Sequence, residues 1–225
     1  MNRYRWFRAE WPISMRQLAK RLKAKQFADD STDGFVVDRV RDDFVEARYI
    51  ERFEVEEVVT DPFGKELTFQ RLEFKQSTIR ASGGKVGLEL RDAPRSTHGL
   101  VSRLSEANDF SLAIIPISVD VVAWATSFQQ LARAEVVVDS LQIGDLELGS
   151  GVSAKIVVKG AKDVRNSSKV LTSGRRHKVE KVQVRFSGAY EGRAILAHQG
   201  AVAIGASRSD AVAEILRESL ADLLK

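Results

Sequence analysis

The chain has 225 residues, 44% hydrophobic and 29% charged, with a formal net charge of +4. Such values describe an ordinary globular protein with material for one large core or two of about 110 residues each. The lack of cysteine excludes disulfides, thiol catalysis and thiolate-bound metals, and no run approaches the roughly 18 apolar residues of a membrane-spanning helix. From the N-terminus, Tyr4 to Trp11 alternates bulky and charged residues, as a strand with one buried face does. Ser14 to Phe27 reads as a helix. Met15, Leu18, Ala19 and Leu22 recur at helical spacing, opposite Arg16, Lys20, Arg21, Lys23 and Lys25. Asp29 to Gly34 is a loop, and Phe35 to Val40 a short strand.

From Val45 a longer strand is expected, with Ala47, Tyr49, Phe53, Val55 and Val59 inward and Glu46, Arg48, Arg52, Glu54 and Glu56 outward. Asp61-Pro62-Phe63-Gly64 is a turn, Pro early and Gly late. In the returning strand, Lys65 to Arg80, Leu67 and Phe69 are apolar at odd positions, but Leu72 and Phe74 at even ones. Holding all four on one face needs an extra residue, so a bulge is predicted near Gln70 and Arg71. Lys85 to Leu90 is another strand and Ser96 to Asn108 a helix. Phe110 to Ile117 is a strand, and Val119 to Leu131 a helix apolar enough to be buried on several sides. Ala134 to Leu148 is β with a break at Gly144-Asp145. Ala154 to Lys159 and Lys178 to Phe186 alternate as half-buried strands, and Arg193 to Ile204 forms a last apolar strand. Ala211 to Leu224 is an amphipathic helix with Val212, Ile215, Leu216, Leu220, Leu223 and Leu224 on its stripe.

Two phrases recur in the same order. Trp11-Pro12-Ile13-Ser14 returns as Ile115-Pro116-Ile117-Ser118, and Ala93-Pro94-Arg95-Ser96 as Ala206-Ser207-Arg208-Ser209. Each follows a strand-like run and precedes a helix-like one, which predicts an internal duplication. The expected fold is α+β: two lobes, residues 1–108 and 109–225, each strand–helix–antiparallel strands–helix, in a curved, mostly antiparallel sheet with helices on one face. That order of elements resembles the TATA-binding-protein-like fold. The resemblance is topological; it implies a concave sheet face open to a partner, which in that family is a bent DNA minor groove.

Charge is unevenly spread. Residues 159–185 are basic, and the longer spacing between phrases in the second lobe predicts a basic hairpin insertion near 159–178, with Asn166 to Ser168 and Thr172 to Gly174 as turn residues. Lys155, Lys159, Lys162, Arg165, Lys169, Arg175, Arg176, Lys178, Lys181 and Arg185 are the candidate nucleic-acid-binding residues, because Arg and Lys donate to phosphate without reading bases. The outward residues of the first lobe, Glu46, Glu54, Glu56 and Glu73, are acidic, so contact is expected from the second lobe. The expected partner is nucleic acid bound with low sequence specificity, a partner protein, or both, within a larger intracellular assembly.

Enzymatic candidates are sparse. Glu73-Phe74-Lys75 has the Glu-x-Lys spacing of metal-dependent nucleases of the PD-(D/E)xK type, which the first lobe's order of elements also resembles. Cross-strand pairing is expected to bring Glu73 near Glu54 and Lys75 near Arg52, which makes Glu54, Glu73 and Lys75 the catalytic candidates of a third reading. His98, His177 and His198 lack metal-ligand spacing, and no metal or cofactor is expected. Met1 to Trp6 lacks a secretory apolar core, so a cytoplasmic location is expected.

Overall fold

Apolar periodicity sets the helix starts and faces. Met15, Leu18, Ala19 and Leu22 are all buried on α1 (Met15–Ala24). Ser14 caps α1, accepting from the Gln17 amide while the Gln17 side chain accepts from the Ser14 amide, so two orphan donors are satisfied reciprocally. The computed structural model describes residues 1–94 and 96–224; Arg95, inside one of the repeated phrases, lies outside the described residues. The order is β1 (Asn2–Glu10), α1, β2 (Asp33–Val40), β3 (Phe44–Thr60), β4 (Glu66–Ser82), β5 (Leu88–Arg91), α2 (His98–Ala107), β6 (Ala113–Pro116), α3 (Val121–Ala132), β7 (Val136–Gly149), β8 (Val152–Lys159), α4 (Arg165–Thr172), β9 (Lys178–Phe186), β10 (Gly192–Ala197), β11 (Ala201–Ala206) and α5 (Ser209–Leu223). The class is α+β: the strands form an open sheet in the order β2-β3-β4-β5-β1-β11-β10-β9-β7-β8, with β6 on β1. Among the described residues no helix is long and apolar enough to cross a membrane.

The chain divides into two units that are not consecutive halves. The larger contains Met1–Ala9, Gly84–Glu89 and Ile114–Lys225; the smaller contains Glu10–Gly83 and Leu90–Ala113. The larger unit's core joins α3 and α5 to one sheet face. Trp6, Trp124, Phe128, Leu141, Val184, Leu196, Ile204 and Leu216 are fully buried there. Its polar tips are satisfied: Trp6 donates its indole N–H to Glu89 at 2.8 Å, and Trp124 donates to the Leu216 carbonyl at 3.0 Å. The predicted single strand Arg193 to Ile204 is two strands. β10 and β11 pair antiparallel from Gly192–Ala206 to Ala197–Ala201, turning at His198 to Gly200.

In the smaller unit, α1 covers β2 and the near half of β3, where Val45, Ala47 and Tyr49 are buried. Phe35 donates its amide to Lys25 and accepts from that of Phe27, so β2 runs against the chain leaving α1. A Cβ on Gly34 would lie 2.5 Å from the Phe27 nitrogen, so only glycine permits this approach. Arg103 on α2 clamps Asp33 with two bonds of 2.7 and 2.9 Å and bonds Glu106, while Lys25 also holds Glu106. Lys25 first, and then Arg103, keep the Glu106 carboxyl below its ordinary range.

The predicted bulge at Gln70–Arg71 is not there. β3 and β4, 17 residues each, pair without a shift from Phe44–Ser82 to Thr60–Glu66. Leu67 and Phe69 therefore share a face with Val59 and Glu57, while Leu72 and Phe74 face the other way with Glu54 and Arg52. Phe53, Val55 and Val59, expected inward, are half-buried or exposed. A bulge is enforced when one face must meet a core, and here both faces of the outer half meet water. Beyond Arg52 and Phe74 the hairpin is a two-stranded arm of eight residue pairs, roughly 26 Å at strand rise. The tip is the predicted turn. Asp61 accepts from the Gly64 amide through its carbonyl and from the Phe63 and Lys65 amides through its carboxylate, and Gly64 has φ +83°.

Candidate nucleic-acid interface

The basic segment is not a hairpin. β8 and β9 both pair with β7, one on each side, so the chain between them must cross β7. That crossover contains α4, where Asn166 to Ser168, expected in a turn, are helical. Asp163 builds the crossover. One carboxylate oxygen accepts from the Arg165 amide at 3.0 Å, the other from the Val138 amide at 3.2 Å, and the Arg165 guanidinium bridges both oxygens. Val138 adjoins a register shift in β7, so the same carboxylate ties an irregular strand to a helix start. Burial alone would raise the Asp163 pKa, but these bonds outweigh it and hold the carboxyl below its usual range. Val164, Ser168 and Thr172 bury one side of α4, which leaves Lys169, Val170 and Leu171 in water, with Val170 80% exposed.

β7 alternates Val136, Val138, Leu141, Ile143 and Leu146 into the core, and two register shifts against each neighbour adjust its length to theirs. Asp145, at φ +50°, lies in one of them, near the predicted break. The opposite face is open and can be followed across the strands. Val137 lies opposite Arg185, then Arg193 and Gly205. Lys159 lies opposite Ser140, then Gln183, Ile195, Ala203 and Arg3. Val157 lies opposite Gln142, then Lys181, Ala197, Ala201 and Arg5. The result is a floor of small and aliphatic side chains among cations.

Of the ten sequence candidates, three are neutralised. Lys155 pairs with Glu180 at 2.6 Å, Arg165 with Asp163 at 2.8 Å and Arg185 with Asp139 at 2.8 Å. The Lys155 hydrogen bond, followed by that of Gln142, lowers the Glu180 pKa. The other seven, Lys159, Lys162, Lys169, Arg175, Arg176, Lys178 and Lys181, are exposed and have no ion pair among the described residues. Arg176, His177 and Lys178 also border an open hollow of about 680 Å³ whose other side carries Asp145, Glu147 and Ser153. Sequence patterns did not place Arg3 and Arg5 on this face. Only the pairing of β1 with β11 brings them there, and local periodicity carries no signal for a partner two hundred residues away.

The catalytic candidates are not brought together. Glu73 lies opposite Phe53 and is bound by Arg71 at 2.7 Å, and Lys75 lies opposite Glu51 with its ammonium 4.4 Å from the Phe53 ring centre. Glu54 lies opposite Leu72, on the reverse face of the arm, so Glu54 and Glu73 cannot hold one ion between them. The arrangement lacks the paired carboxylates that the nuclease reading requires. His98 opens α2 on the surface, His177 is exposed and His198 is half-buried in the β10–β11 turn. Among the described residues no three His, Asp or Glu side chains are grouped as metal ligands. No family model matches this chain, and no curated protein matches it in sequence.

Proposed function

We propose that the protein is a non-catalytic module that binds nucleic acid, with low sequence specificity, through the α4 crossover and the open face of its larger unit. One observation carries the reading: seven exposed cations lie on β8, β9 and the chain joining them, with no ion pair among the described residues. Lys and Arg so disposed can each replace a condensed counterion on a phosphate backbone, and the release of those ions drives association. The floor of Ala197, Ala201, Ala203 and Gly205 lets a broad partner approach the strands closely. Descent of both lobes from one β-α-β-α unit, on the TATA-binding-protein-like plan, belongs to this proposal. The runs β1-α1-β2-β3-β4-β5-α2 and β6-α3-β7-β8-β9-β10-β11-α5 support it, with α4 and one further strand as the additions in the second.

The test is fluorescence anisotropy with labelled duplex DNA and single-stranded RNA across a salt series. Binding falls on the order of 10²–10³-fold between 50 and 200 mM salt if about five phosphates are contacted. Arg175→Glu with Arg176→Glu weakens it at least tenfold at every sequence tried. No binding of either nucleic acid at 50 mM salt refutes the proposal.

A further inference from the structure

The arm beyond Arg52 and Phe74 is the largest exposed feature that nucleic-acid binding leaves unused. Its two faces differ in charge. On the face that continues the buried side of β3, Arg71 lies 2.7 Å from Glu73 and 3.6 Å from Glu57, so those carboxylates are balanced locally. On the reverse face Glu54, Glu56 and Glu66 are exposed and have no ion pair among the described residues. Phe74 and Leu72, 57% and 55% exposed, lie on β4 beside Arg52 and Glu54, and Val58, 54% exposed, lies two rows further out opposite Thr68. Arg52, the cation on that side, turns its guanidinium to the Asp29 carbonyl. The reverse face therefore sets Phe74 and Leu72 on one strand beside Glu54 and Glu56 on the other. An isolated two-stranded ribbon is marginal in water, and exposed apolar residues beside free carboxylates on one mark a surface that a partner covers.

The complementary surface is present on the same chain. The open face of the larger unit has Val157, Ile195, Ala197 and Ala203 as its floor, edged by Lys159, Lys181 and Arg193, none of which has a carboxylate partner among the described residues. We infer that the reverse face of the β3–β4 arm docks on this basic sheet face of a second copy of the chain. Phe74, Leu72 and Val58 meet the aliphatic floor, and Glu54 and Glu56 meet Lys181 and Arg193. A ribbon about 26 Å long and 10 Å wide covers on the order of 260 Å² per partner, or about 1,000 Å² in all when two copies exchange arms. That is the low end for a specific interface, so the dimer is reversible and weakened by salt.

Sedimentation velocity across a concentration series tests this with four exposed positions. The wild-type chain self-associates at low salt, and association weakens at least tenfold at high salt. Glu54→Lys with Glu56→Lys, or Lys181→Glu with Arg193→Glu, each weakens it at least tenfold, while circular dichroism and melting stay unchanged. An equimolar mixture of the two double variants forms a 1:1 complex, because each arm then meets a face of opposite charge. The chain with all four substitutions associates with itself again. A wild-type chain that is monomeric throughout, a dimer indifferent to either charge reversal, or a mixture that stays monomeric overturns the inference. Nucleic acid and the arm compete for this face, but nucleic-acid binding is read separately through Arg175 and Arg176, which lie outside the docking residues, so either idea can fail alone.

Discussion

β3 with β4 and β7 with its two neighbours handle strand length in opposite ways. The first pair runs 17 residues without one register shift, although its apolar residues change sides midway. β7 is 14 residues long and shifts register twice against each neighbour, and its buried residues Val136, Val138, Leu141, Ile143 and Leu146 twice step by three instead of two. The difference is burial. β7 must keep Val138, Leu141, Ile143 and Leu146 against one core while strands of different length pair on both sides, and bulges reconcile those demands. The outer arm has no core to satisfy, so its backbone stays regular and its side chains accept water on both faces.

The contrast is sharpest in core truncation. Leu141→Ala on β7 costs about 2–5 kcal/mol in urea unfolding, from lost burial and the cavity left behind. Leu67→Ala on the arm changes stability by less than about 0.5 kcal/mol, because the site is already in water. Comparable losses at both positions would mean that the arm is buried in solution. The next effect in size is at Asp163. Asp163→Ala removes the acceptor of two amides and a guanidinium and destabilises the larger unit by about 1–3 kcal/mol. The pH dependence has a definite sign. A carboxyl held below its usual range contributes stability that is present above its unfolded value, near 3.9, and lost as pH falls through the folded value, so Asp163→Asn flattens the acid limb of the stability curve.

Tyr49 marks where the buried half of the hairpin ends. Burial first, then Asp33 and Glu51, push its phenol up to about 12. With the folded value above the unfolded one near 10, the stability is intact below pH 10 and lost as pH rises through about 12. Tyr49→Phe removes that alkaline loss; an unchanged alkaline limb would place Tyr49 in water like the outer arm. The smallest effect is at the tip. Gly64→Ala strains a left-handed residue by about 1 kcal/mol, which hydrogen exchange reads as faster opening of the arm amides while those of β7 keep their protection.

Local pattern was enough for the elements. The four-residue stripe of α1, the Asp61–Gly64 turn and the alternation of β9 were all legible, because turns and periodicity depend on neighbours a few residues away. The excess of cations between Lys159 and Arg185 was equally plain. What those residues could not reveal was set by partners far along the chain. Whether Phe69 and Leu72 share a face depends on whether a core lies beneath them. Whether residues 159–178 form a hairpin depends on β9 pairing with β7 and not β8. Which cations stay free depends on where Asp139, Asp163 and Glu180 come to rest. Composition and periodicity are properties of the sequence, but register, burial and charge neutralisation arise only between segments, and the tertiary structure alone brings those segments together.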